Sequence, residues 1–105
     1  MVIIKQVTLA YEENGRDLVR YLKSQEIVAS IGHTNATSDQ TLEGIKEGIT
    51  SATHTYNAMK GIHHREVGTL GAVLIADEVY CEIIADLVHV SPNAIKLLFK
   101  TYCAT

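Results

Sequence analysis

Five histidines fall between positions 33 and 89 of this chain of 105 residues. His33, His54 and His89, with Asp86, sit at or just past the ends of short apolar runs. Neutral imidazole is a ligand for zinc and similar ions, and catalytic zinc sites commonly use three protein ligands plus a water. A lone histidine ending a strand is more often a hydrogen-bonded structural residue. Two at equivalent strand ends point to a shared site. Asp86 can cap a loop or serve that same site. The stretch His63-His64-Arg65-Glu66 reads either as a solvated loop or as an anion contact, because the planar fork of arginine suits phosphate. Gly68 and Gly71 lack the spacing of a nucleotide-binding fingerprint. Cys81 lies inside an apolar run, where an inert thiol is the default. No Gly-x-Ser-x-Gly elbow is present.

These residues need a scaffold that brings them together, and the chain alternates β-type with helix-type runs. Val2–Leu9 reads as a strand. Asn14 can cap a helix whose apolar positions Leu18, Tyr21 and Leu22 share a face. Ile27–Ile31 is a second strand. Thr37 and Gln40 fit a capping box before Leu42 and Ile45, and Gly48 stops that helix. Ile49–His54 reads as a third strand, followed by a loop through Glu66. Gly68–Ala76 reads as a short helix, Val79–Ala85 as a fourth strand. Ser91-Pro92 opens a last helix with Ile95, Leu98 and Tyr102 on one face. The order βαβαβαβα predicts an α/β fold with a parallel sheet. The strands read as apolar on both faces rather than alternating. Either a small doubly wound sheet or four units of a (β/α)8 barrel fits, and a full barrel takes about 250 residues. In both, the carboxyl ends of parallel strands lie on one side, so His33, His54, Asp86 and His89 are expected on one rim.

The composition bounds the partners. The chain is 47% apolar and 20% charged with net charge −3, which fits one domain over 1–105 with no linker. Nine basic residues against twelve acidic ones leave no surplus for nucleic acid. No apolar run reaches the roughly 18 residues of a membrane span, and no secretory signal is apparent. Two cysteines fit a reducing, cytoplasmic setting.

The segments Val7-Thr8-Leu9-Ala10, Gly32-His33-Thr34-Asn35-Ala36-Thr37, Thr53-His54-Thr55-Tyr56-Asn57-Ala58-Met59, His63-His64-Arg65-Glu66 and Glu82-Ile83-Ile84-Ala85-Asp86 through His89-Val90 occur in this order. Together they resemble the N-acetylglucosamine-6-phosphate deacetylases of the amidohydrolase superfamily. The resemblance implies strands four to seven of a metal-dependent (β/α)8 TIM barrel that hydrolyses the N-acetyl group of a phosphorylated amino sugar. It implies metal ligation by His33 and His54, with zinc the first expectation and iron or other divalent ions the alternatives. It implies substrate contacts from Asn57 and Ala58, from Arg65 reaching a neighbouring subunit's site, and from Asp86, Leu87, Val88 and His89, with His89 near the reacting amide.

The family's metal-binding glutamate and catalytic aspartate have no counterpart here, so the expectation is a truncated chain without turnover. The alternative is a non-catalytic fragment that self-associates and weakly binds metal or sugar phosphate. Homo-oligomers are expected through two unpaired sheet edges and an open apolar interior. Tyr11 and Val67 stand where the family has prolines. Leu87 stands where it has a glycine, a position at which leucine costs energy if the backbone is left-handed.

Overall fold

The computed structural model describes residues 3–103. Four units follow one another: β1 (Gln6–Leu9), α1 (Gly15–Ser24), β2 (Val28–Ile31), α2 (Ser38–Glu47), β3 (Ile49–Ala52), α3 (Gly68–Ile75), β4 (Tyr80–Cys81) and α4 (Pro92–Cys103). All neighbouring strands pair in parallel, in the order β1-β2-β3-β4. Each new strand adds beside the last, which is how a (β/α)8 barrel winds and a doubly wound sheet does not. Among the described residues no helix is long and apolar enough to cross a membrane.

The helix signals hold where they are chemical. Thr37 Oγ1 accepts the Gln40 N–H at 3.2 Å and Gln40 Oε1 accepts the Thr37 N–H at 2.9 Å, a complete capping box. Gly48 ends α2 at φ 143°, a conformation glycine adopts without penalty. Ser91 Oγ accepts the Ala94 N–H at 3.2 Å and opens α4. Asn14 departs from its expected role. It precedes α1 in a left-handed conformation, φ 58°, and its side chain caps nothing.

The buried face of α1 also differs. Val19 and Leu22 pack on the sheet, while Leu18 and Tyr21 are exposed. The buried positions Gly15, Val19 and Leu22 follow i, i+4, i+7 spacing, while on one flank Arg16 and Arg20 both reach Glu47 of α2 and Arg16 also pairs with Glu43. At 100° per residue those arginines fix one flank toward α2 and leave Leu18 and Tyr21 on the opposite one.

The strands do alternate, contrary to the sequence reading. Val7, Leu9, Ala29, Ile31, Ile49 and Ala52 join the core under the helices. The other face of the sheet is largely polar. There Ser30 Oγ and Thr53 Oγ1 are 2.6 Å apart, Thr53 and Thr8 hydroxyls are 2.8 Å apart, and Gln6 donates to Glu82 at 3.1 Å. An open apolar interior is therefore not what the sheet presents. One irregularity lies in β3: Ala29 pairs with Ile49 but Ser30 pairs with Ser51, so Thr50 is an extra residue.

All four strands are shorter than expected, β2 by one residue only, and Val2 lies outside the described residues. β3 stops at Ala52, because His54 has φ 30° and no strand continues through that conformation. β4 holds only Tyr80–Cys81. Its pairing continues through Glu82, whose N–H donates to Ala52 O at 2.9 Å and whose carbonyl accepts the Thr55 N–H at 2.7 Å. Beyond that point β3 has turned away and Ile83–Ala85 have no partner strand among the described residues.

Candidate metal centre and its rim

His33 follows β2 and His54 follows β3, each two residues past the strand end. Their Nε2 atoms lie 2.9 Å apart, with ring centroids 4.6 Å apart and planes at 80°. His54 Nδ1 is 3.0 Å from the Asn57 carbonyl oxygen. A carbonyl only accepts, so Nδ1 carries the proton and the Nε2 of His54 presents its lone pair. His33 Nε2–H then donates to it. With the ring proton of His33 shifted to its own Nδ1, a cation between the rings would meet two Nε2 lone pairs, and the backbone bond on the remote nitrogen of His54 is how metal-binding histidines are usually oriented. Nitrogens each about 2.1 Å from a tetrahedral ion lie roughly 3.4 Å apart, so the rings need part by only about half an ångström. The pair fits two positions of a metal's shell. Among the described residues no third histidine, cysteine or carboxylate joins them.

Both histidines sit in left-handed backbone, φ 47° at His33 and 30° at His54, and so do Tyr56, Ala58 and Leu87. Five of the seven non-glycine residues with positive φ among the described residues therefore crowd this rim. Such conformations cost roughly 1–2 kcal/mol each and gather where a site dictates geometry.

Beside the pair lies an open cavity of about 390 Å³ lined by His33, Thr34, Asn35, Ala58, Met59 and Lys60. Lys60 was not singled out from sequence. Behind it, Gly68 at φ 67° lets the start of α3 press on the Lys60 carbonyl, where an added Cβ would come within 2.5 Å. Asn57 links the pair to the fourth unit: its Nδ2 donates to the His89 carbonyl at 3.2 Å, while its buried Oδ1 has no partner among the described residues.

Asp86 and His89 form a compact second group. Asp86 Oδ1 accepts the N–H groups of Val88 and His89 at 2.8 Å, and Oδ2 accepts from His89 Nδ1 at 2.6 Å. The two backbone N–H donors, His89's first, hold the Asp86 carboxyl down to about 2 from an ordinary 3.8. A carboxylate so acidic and so fully engaged is a poor proton carrier. Leu87 takes φ 66°, the left-handed conformation that favours glycine, and the bonds from Asp86 keep the loop in place around it. Val88 points to solvent. Arg65 is not among the residues lining the cavity. Its backbone N–H donates to His63 Nδ1 at 3.2 Å and its side chain is exposed, on a loop closed by the His63–Glu66 bridge. Val67 has φ −76°, which a proline also adopts.

Two residues that the sequence reading left out of the site hold these loops. Glu12, in the β1–α1 loop, accepts from Thr34 and Asn35 beside His33. Glu66 accepts from Ser38 and Gly68 at the starts of α2 and α3. Glu12 lies three positions past the end of β1, so the rule that placed His33 and Asp86 on the rim places it there too.

A histidine pair locked by backbone at the ends of adjacent parallel strands invites comparison with known enzymes. Over 94% of its length the chain superposes on N-acetylglucosamine-6-phosphate deacetylase from Pasteurella multocida with TM-score 0.91 and 38% identity. The chain matches one part of the N-acetylglucosamine-6-phosphate deacetylases. It is 47% identical over 98 residues to that deacetylase from Bacillus subtilis and 40% identical over 98 residues to the one from Lysinibacillus sphaericus, covering 92% of the chain in both cases. A deacetylase mutant from Mycobacterium smegmatis, solved in complex with N-acetyl-D-glucosamine-6-phosphate, superposes over 93% of the chain with TM-score 0.91 and 38% identity. The chain spans about a quarter of each of these proteins: 25% of the two curated relatives and 26% of the two solved chains. No family model matches it. The fold is thus four consecutive units of a TIM barrel of the deacetylase type.

Proposed function

We propose that this chain forms the histidine side of a metal-dependent amidohydrolase site acting on N-acetylglucosamine 6-phosphate. The observation that carries the reading is the His33–His54 pair, Nε2 to Nε2 at 2.9 Å with the remote nitrogen of His54 fixed by the Asn57 carbonyl. A divalent ion held there, zinc first and iron otherwise, supplies an acidified water and polarises the amide oxygen. Asn57 and Ala58 orient the sugar phosphate beside the cavity. His89, its Nδ1 proton engaged by Asp86, offers Nε2 to the reacting amide. Arg65, turned outward, serves a neighbouring copy.

The 105 residues alone bind without turning over. Two imidazoles leave the metal's shell incomplete, and Asp86 is engaged within its own loop. Self-association is the rest of the proposal, and uncovered side chains support it: Leu18 and Tyr21 of α1 at one end of the sheet, Tyr80 and Phe99 at the other. A second copy adds four strands to make eight.

Acetate release from N-acetylglucosamine 6-phosphate, with zinc and a His54→Ala control, tests this. The N-acetylgalactosamine 6-phosphate epimer is run beside it, since a relative 40% identical over 95 residues is named for that sugar. The expected result is zinc binding that His54→Ala abolishes and no release above the control. Release that depends on His54 overturns the claim of binding without turnover. Zinc binding indifferent to His54 overturns the site.

A further inference from the structure

We infer that Glu12 is the positioning residue of the histidine pair, its carboxylate fixing where His33 stands relative to His54. Glu12 Oε1 accepts the Thr34 hydroxyl at 2.5 Å and Oε2 accepts the Asn35 N–H at 2.7 Å. Thr34, which is buried, follows His33 directly. Its own N–H donates to the Ala58 carbonyl at 3.0 Å, on the loop that carries His54, and its hydroxyl oxygen accepts the Ala36 N–H at 3.0 Å. One carboxylate, one threonine and one carbonyl thus tie the loops after β1, β2 and β3 into a single strut. The strut holds two residues whose backbone is left-handed, His33 itself at φ 47° and Ala58 of the His54 loop at φ 53°. Neither conformation persists without such outside support.

Glu12 is well suited to the task. Burial alone would raise its carboxyl, but the Thr34 hydroxyl and the Asn35 N–H outweigh burial and keep it below the ordinary range. It is therefore ionised at neutral pH, and its hydrogen bonds are charge-assisted. Glu66 provides an internal contrast. It makes bonds of the same kind to the Ser38 N–H at 2.5 Å, the Ser38 hydroxyl at 3.2 Å and the Gly68 N–H at 3.1 Å, yet none of its partners adjoins a histidine of the pair.

The consequence for a bound metal rests on the function proposed above, and the consequence for ring geometry does not. The test compares Glu12→Ala, Glu12→Gln and Glu66→Ala in the full chain. One readout is the nuclear Overhauser contact between the His33 and His54 ring protons without metal. The other is zinc affinity by calorimetry. Outer partners of metal ligands typically contribute about 10–100-fold in affinity. Glu12→Ala is expected to lose the ring contact and to weaken zinc by about tenfold or more. Glu12→Gln, with one oxygen for two donors, falls between. Glu66→Ala lowers the thermal midpoint and leaves the rings in contact. Glu12 variants that keep both ring contact and zinc affinity overturn the inference, as does Glu66→Ala disturbing the rings equally. If Glu12→Ala does not fold, Glu12→Gln decides. A wild-type chain that binds no zinc, with rings that part in the Glu12 variants, defeats the metal reading and leaves the positioning role standing.

Discussion

The first three β/α units and the fourth hold their rim residues in different ways. Up to α3, strands of four residues and the helices over them build most of one cluster that runs from Leu9 through Ile31 and Ile49 to Val73 and reaches the fourth unit only through Val79 and Cys81. The loops above are braced against one another by Glu12, Thr34 and Ala58. The fourth unit has a two-residue strand. Its helix is docked by Leu98 and by two tyrosine hydroxyls: Tyr56 donates to the Ala94 carbonyl at 2.6 Å and Tyr102 to the Val73 carbonyl at 2.9 Å. Its rim loop is organised from within by Asp86. The histidine pair thus depends on contacts between units, and the Asp86–His89 group depends on contacts three residues apart. Distance between two histidine-bearing loops has to be set by the scaffold; the shape of one loop does not.

The difference predicts how each part responds to damage. Ile31 is fully buried beneath three helices' worth of core. Ile31→Ala is expected to cost about 2–5 kcal/mol and to unfold the chain as a whole in urea. Leu98→Ala, by contrast, is expected to release α4 while amides in β1–β3 keep their protection from hydrogen exchange. Loss of all protection together would break the comparison. Leu87→Gly relieves a left-handed leucine and is expected to stabilise by about 1 kcal/mol in thermal unfolding, with the His33–His54 contact unchanged. The smallest effect is acidic. The Asp86 carboxyl is depressed in the folded chain, so its hold on the loop is full above an ordinary 3.8 and is lost as the pH falls through about 2. Amide shifts of Val88 and His89 should follow that titration, and Asp86→Asn should remove it.

How much of this was legible in the sequence depended on how local its cause was. The capping box at Thr37 and Gln40, the stop at Gly48 and the cap at Ser91 each need only a few neighbouring residues, and each is present as read. The rim location of His33 and His54 followed from strand ends alone. The buried face of α1 was misplaced because the large apolar side chains of Leu18 and Tyr21 outweighed the Gly15, Val19 and Leu22 spacing. The polar face of the sheet was missed because Val, Ile and Ala in the strands outweighed the Thr8, Ser30 and Thr53 set between them. The length of β4 was overestimated because a run of apolar residues does not show where its partner strand turns away. Glu12 carries its meaning only through Thr34 and Asn35, 22 and 23 residues later.

The extra residue in β3 has a consequence best stated as parity. Strand side chains alternate between faces, so a chain that counts evenly cannot place both Ile49 and Ala52 under the helices. Thr50 supplies the odd step: Ile49 and Ala52 both join the core, and Thr53 still meets Ser30 and Thr8 on the other side. Without that one exposed threonine, Ile49, Ser51, Ala52 and Thr53 would alternate regularly against the same partners, whereas loss of Ser51 or Ala52 would turn the hydroxyl ladder or the core to the wrong face. A single deletion in β3 is therefore best tolerated at position 50, where the count on either side of the bulge is already that of a regular strand.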